Sequence, residues 1–140
     1  MEYTFEPVEG DGYVACFTGV LDSASVGEFW THVLAVRPEN GFAFAVLDIE
    51  DTTIPNIETW PGSPETLELL HPIARMATQS LHPRFRLALV STNGILDNVI
   101  EDLAGLVAFG SAGVPKDNMA VRRFVGRDDA LAWCRSETAD

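Results

Sequence analysis

The chain has 140 residues, 46% hydrophobic and 21% charged, which suits a single globular domain, 1–140, large enough to bury a core without disulfides or a structural metal. Its formal charge of −12 argues against a nucleic-acid partner, because a phosphate backbone needs a basic face. The charge is also uneven: residues 1–70 hold 13 of the 21 acids but one of the nine bases, Arg37. That half is either a solvated acidic surface or one open to a basic partner or a cation.

Glu2 to Val8 alternates, with Tyr3 and Phe5 on one side and Thr4 and Glu6 on the other, and Pro7 suits an edge strand. Glu9 to Gly12 supplies turn chemistry, and Tyr13 to Val20 reads as the second strand of a hairpin. Ser25-Val26-Gly27-Glu28 has the form of a capping box. The helix it opens carries Phe29, Trp30, Val33 and Leu34 and stops before Pro38 and Asn40-Gly41.

Phe42 to Ile49 is an apolar run that reads as a central strand covered on both faces. Strict alternation puts Phe42, Phe44 and Val46 on one face, and Ala43, Ala45, Leu47 and Ile49 on the other. After the irregular stretch Asp51 to Gly62, Ser63-Pro64 opens a second helix that runs to about Ser80, with a kink at His71-Pro72. Arg84 to Val90 is the next strand, its bulky face formed by Phe85, Leu87 and Leu89. Ser91 to Gly94 leads into a third helix, about Ile95 to Phe109. The polar side of that helix disappears near its end, so Leu106, Val107 and Phe109 are either covered by the following loop or offered to a second subunit or a lipid. Met119 to Val125 forms the last strand, and Asp128 to Arg135 the closing helix.

The order is therefore ββαβαβαβα: an α/β sandwich with a mixed, largely parallel sheet of about five strands and four helices. Met1 to Glu6 lacks the basic and apolar regions of a signal peptide, and no stretch approaches the ~18 apolar residues of a membrane span. Cys16 and Cys134 lie in apolar surroundings without paired spacing, which suits buried thiols in a reducing compartment. A cytoplasmic location is expected.

Three stretches carry a family resemblance. Phe17-Thr18-Gly19-Val20-Leu21-Asp22 in the hairpin, Val46-Leu47-Asp48-Ile49, and Val121-Arg122-Arg123-Phe124 followed by Asp129-Ala130-Leu131-Ala132-Trp133 resemble the STAS-like (SpoIIAA-like) domains, in particular the stand-alone relatives of anti-sigma-factor antagonists. The resemblance covers nearly the whole chain. It implies a SpoIIAA-like sandwich and a non-enzymatic regulatory role exercised through a protein partner; a homodimer is the expectation raised by the apolar end of the third helix. Family members are phosphorylated on serine in an Asp-Ser-Ser-Gly-type motif, a place held here by Asp51-Thr52-Thr53-Ile54-Pro55-Asn56-Ile57-Glu58, with no Ser-Gly pair. Thr52, Thr53, Thr59 and Ser63 stand as candidate phospho-acceptors; a phosphate there would add charge near a helix start and change a docking surface.

A second resemblance points to chemistry. Asp48-Ile49-Glu50-Asp51-Thr52 is similar to the Asp-x-Asp-x-Thr of haloacid-dehalogenase-type phosphatases, Leu89-Val90-Ser91 to their second motif, and Lys116 and Gly126-Arg127-Asp128-Asp129 to the later ones. It implies a nucleophilic Asp48 beside Mg2+. Glu50 stands where that family has Asp, Arg127 follows Gly126 where an acid is usual, and a hairpin and helix precede the first motif.

His32, His71 and His82 fall on separate segments, and no Gly-rich phosphate loop is present, so no cofactor or metal is expected. Ligands of open α/β sheets sit beyond the carboxyl ends of the parallel strands. The candidate ligand-binding set there is Asp48, Glu50, Asp51, Ser91, Thr92, Asn93, Arg127 and Asp128, with Trp60 on the connecting loop. The readings are thus a binding or regulatory module, an Asp48-dependent phosphatase, or a small-molecule or lipid-binding protein.

Overall fold

The computed structural model describes residues 1–39, 41–54, 85–98, 100–101 and 120–136. The chain opens with a hairpin of β1 (Glu2–Val8) and β2 (Gly12–Val20), antiparallel from Glu2 opposite Thr18 to Val8 opposite Gly12. Its turn needs left-handed backbone at Gly10 (φ 96°) and Asp11 (φ 59°), residue types that adopt that conformation at little cost. Helix α1 (Ser23–Val36) follows. Its cap is Asp22, whose Oδ1 accepts from the Ser25 amide at 2.8 Å, so the helix starts earlier than a box on Ser25 predicts. That bond holds the Asp22 carboxyl below its ordinary value.

β3 (Phe44–Asp48), β5 (Arg86–Val90) and β6 (Ala120–Phe124) all run parallel to β2, in the lateral order β1-β2-β3-β5-β6. β1 is an edge, as Pro7 requires. Among the described residues the strand count is six where about five were expected, because Thr52–Thr53 forms a short β4 that also pairs with β2. From Asp48 to Thr52 the chain advances four residues while β2 advances three, from Cys16 to Gly19. The extra residue throws out a bulge at 49–51. Helix α2 begins at residue 96 and is described to 101 apart from 99, and α3 (Arg127–Arg135) closes the described chain. Three helices are therefore described where four were expected. The helix expected over 63–80 and the apolar end of the third lie outside the described residues, as do Trp60, Leu106, Val107 and Phe109.

The sheet buries both faces. On one, Tyr13, Ala15, Phe17, Ala45, Leu47, Phe85, Leu87 and Leu89 meet Phe29 and Val33 of α1 and Leu96 of α2. On the other, Phe44, Val46, Ala88 and Val90 meet Ala130, Trp133 and Cys134 of α3. Each large apolar side chain so buried contributes about 1.5–3 kcal/mol. The facing of the central run differs from strict alternation at its start. Phe42 packs with Ala45 and Leu47, and Ala43 with Phe44 and Val46. The strand proper begins at Phe44, and a bend at Ala43 resets the alternation. Both cysteines are free thiols, and burial pushes that of Cys134 up to about 12. Among the described residues, no helix is long and apolar enough to cross a membrane.

Candidate functional site

β3 delivers Asp48 to the C-terminal end of the sheet on the α3 side, since it shares the parity of Phe44 and Val46. There the first residue of α3, Arg127, donates from Nε to Asp48 Oδ2 at 2.6 Å. The other carboxylate oxygen, Oδ1, accepts from the Glu50 amide at 3.2 Å. Asp48 is 15% exposed and Arg127 49%, so the pair lies at the boundary between core and solvent. The hydrogen bond to Asp48 raises the Arg127 pKa above its ordinary value; burial opposes this, and the attraction of Asp48 and the nearby Cys16 thiol adds to it. Cys16 is the register partner of Asp48 across β2 and β3.

The bulge carries Glu50 to the neighbouring loop. Its carboxylate accepts twice from Thr92, from the amide and from Oγ1, each at 2.6 Å. The Thr92 hydroxyl bond and then the amide bond lower its pKa, with Ser91 contributing. Asp51 is exposed on the same turn, and its carbonyl accepts from the Gly19 amide at 3.4 Å.

Of the candidate acceptors, Thr52 is half-buried and donates from Oγ1 to the Phe17 carbonyl at 2.9 Å. Thr53 has an exposed side chain, and its carbonyl accepts from the Leu21 amide at 2.9 Å. Both belong to β4.

The loop after β5 is ordered from within. Ser91 is buried and its Oγ accepts from the Asn93 amide at 3.1 Å, while Asn93 Oδ1 accepts from the Ile95 amide at 3.1 Å just before α2. These bonds aim Thr92 at Glu50. Asp128 and Asp129 are exposed in the first turn of α3, where carboxylates favour the positive end of the helix dipole.

The structure therefore joins Asp48 to Arg127 and Glu50 to Thr92, and leaves Asp51 and Asp128 on the rim. The sequence reading missed Arg123. From β6 it clamps Asp97 of α2 through Nε and Nη2 at 3.0 and 3.2 Å and donates to the Ser91 carbonyl at 3.0 Å. The bond holds Asp97 below and Arg123 above their ordinary values. The Arg122-Arg123 pair inside a strand of otherwise apolar residues is the signal that could have found it. Among the described residues, no three His, Cys, Asp or Glu side chains converge as a metal site.

Among solved structures, the chain is similar to an uncharacterised protein of the DUF3478 family with a SpoIIAA-like fold from Shewanella loihica PV-4. The two are 14% identical, with a TM-score of 0.56 over 95% of this chain and 92% of that one. No family model matches the sequence, and no curated protein does. The fold is SpoIIAA-like, in agreement with the resemblance seen in the sequence.

Proposed function

We propose that the chain is a non-enzymatic binding or regulatory module that meets a protein partner at the C-terminal ends of β3 and β5. One observation carries this reading: the polar groups there are bonded to one another. Both Asp48 oxygens are engaged, by Arg127 and by the Glu50 amide, and both Glu50 oxygens by Thr92. Carboxylates held in this way make a surface of fixed shape and charge, which favours recognition. A nucleophilic carboxylate needs an oxygen free to reach phosphorus in line. The SpoIIAA-like fold fits a regulatory role, although a fold does not by itself assign a function. Homodimer formation through Leu106, Val107 and Phe109, and a small-molecule or lipid ligand at the strand ends, are the alternative forms such a module takes.

Two measurements test it together. The protein is incubated with an aryl phosphate and Mg2+, beside its Asp48→Asn variant, and neither is expected to hydrolyse it. Turnover that disappears in Asp48→Asn would overturn the module in favour of the phosphatase. Native mass spectrometry of the protein taken from its own host is expected to show a bound chain, and Arg127→Glu is expected to release it. Retention of that chain by Arg127→Glu would move the docking surface away from these strand ends.

A further inference from the structure

Helix α3 is gripped at both ends by arginines that lie at opposite ends of the sheet. At its start, Arg127 holds Asp48 where β3 finishes. At its finish, Arg86, the first residue of β5, donates from Nη1 to the carbonyls of Trp133 and Ser136 and to Ser136 Oγ, the last two at 2.7 and 2.9 Å. The Arg86 guanidinium carbon also lies 5.5 Å from the centre of the Trp133 ring.

Arg86 is 6% exposed, and among the described residues it pairs with no carboxylate. A buried cation needs compensation, and here the carbonyls at the negative end of α3 supply it. Between the two grips run nine residues of helix, about 13.5 Å at 1.5 Å per residue. Ala130, Trp133 and Cys134 press this length against the sheet. The cap residue, Gly126, has no side chain to fix the start of the helix, and Arg127 is the side chain that ties that start to β3. A helix is stiff along its axis, and a shift at one end is carried to the other.

We propose that α3 is a strut coupling the two ends of the sheet, with Arg86 a positioning residue for Arg127 and thereby for the Asp48 surface. This deepens the docking reading by giving that surface a control point at the opposite end of the sheet. Its test uses no partner, so the two can fail separately.

The readout is the rate at which a neutral alkylating reagent labels Cys16, which lies beside Asp48 and Arg127, read by peptide mass spectrometry that separates it from Cys134 and divided by the thiolate fraction taken from each variant's pH profile. Arg127→Ala is expected to raise the rate, and Arg86→Met to raise it about fivefold, the lower end of ordinary coupling between sites. The double variant is expected to label no faster than Arg127→Ala alone, because both changes release the same strut. Independent destabilisations of distant sites add in free energy, and their effects on labelling through global opening multiply. Multiplied rates in the double variant, or a Cys16 rate unchanged by Arg86→Met, would overturn the proposal. Should Arg86→Met fail to fold, Arg86→Lys keeps the cation, loses the planar fork and permits the same comparison.

Discussion

The two faces of the sheet are held by different means. The α1 face is a network of rings: Phe29 meets Tyr3 edge-on at 5.2 Å and Phe17 at 4.9 Å, and Tyr13 meets Phe42 at 4.8 Å. Such pairs add about 0.5–1.5 kcal/mol beyond their buried area. Burial also keeps the Tyr13 hydroxyl protonated, its pKa pushed far up. Among the described residues the α3 face has smaller side chains, with Phe44, Phe124 and Trp133 as its rings, and α3 is nine residues long against fourteen in α1. Short helices draw little stability from themselves. The comparison suggests that rings position a helix where there is enough of it to bury, and that arginines at the ends take over where there is not.

The strongest way to break the first face is Phe29→Ala. The ring touches Tyr3, Phe5, Tyr13 and Phe17, and its loss should cost about 3–5 kcal/mol, read from the urea midpoint at unchanged slope. Next comes Gly12→Ala, which attacks the second face. A Cβ there would lie 2.2 Å from the ring of Phe44, a side chain 2% exposed, so overpacking should cost about 1–3 kcal/mol. Phe44→Leu should restore part of that loss when added to Gly12→Ala, and a neutral Gly12→Ala would show that the ring can move.

Gly126→Ser sharpens the contrast in the other direction. Gly126 has φ −128° and ψ 150°, and an added Cβ meets nothing within 4 Å. A serine there should cap α3 and raise stability by about 0.5 kcal/mol, seen as a higher Tm. A lower Tm would mean that the start of α3 is set by something other than its missing cap.

The smallest effect concerns the Glu50 clasp, which belongs to neither face. Because its carboxyl lies below the ordinary value in the folded protein, the clasp stabilises above the unfolded-state pKa. That contribution is lost as pH falls through the lowered folded value. Thr92→Val should move the Glu50 titration up towards the ordinary range by NMR, and an unmoved titration would assign the lowering to another donor.

Much of the fold was legible because it is local. The hairpin follows from alternation and the turn at Gly10-Asp11, and β5 from its run of Phe85, Leu87 and Leu89 on one face. The misplaced cap shows the limit. Asp22 and Ser25 are both good caps, and choosing between them needs the direction in which β2 leaves the sheet. The bend at Ala43 and the bulge that creates β4 were hidden for a similar reason, since each is a backbone departure from a pattern that sequence periodicity treats as regular. The strand-end set was assembled from the rule about carboxyl ends, which gathers residues in one region but cannot pair them.

By itself the sequence determined the alternation of strands and helices, the double burial of the central strand and the gathering of polar residues at strand ends, because periodicity and turn chemistry act over a few neighbouring residues. Only the tertiary structure decided which groups meet. Asp48 and Arg127 are 79 residues apart, Arg86 and Trp133 47, and Glu50 and Thr92 42. Such pairs depend on the lateral order of the strands and on where α3 crosses them. That order is fixed by the packing of both faces together, and no single segment encodes it.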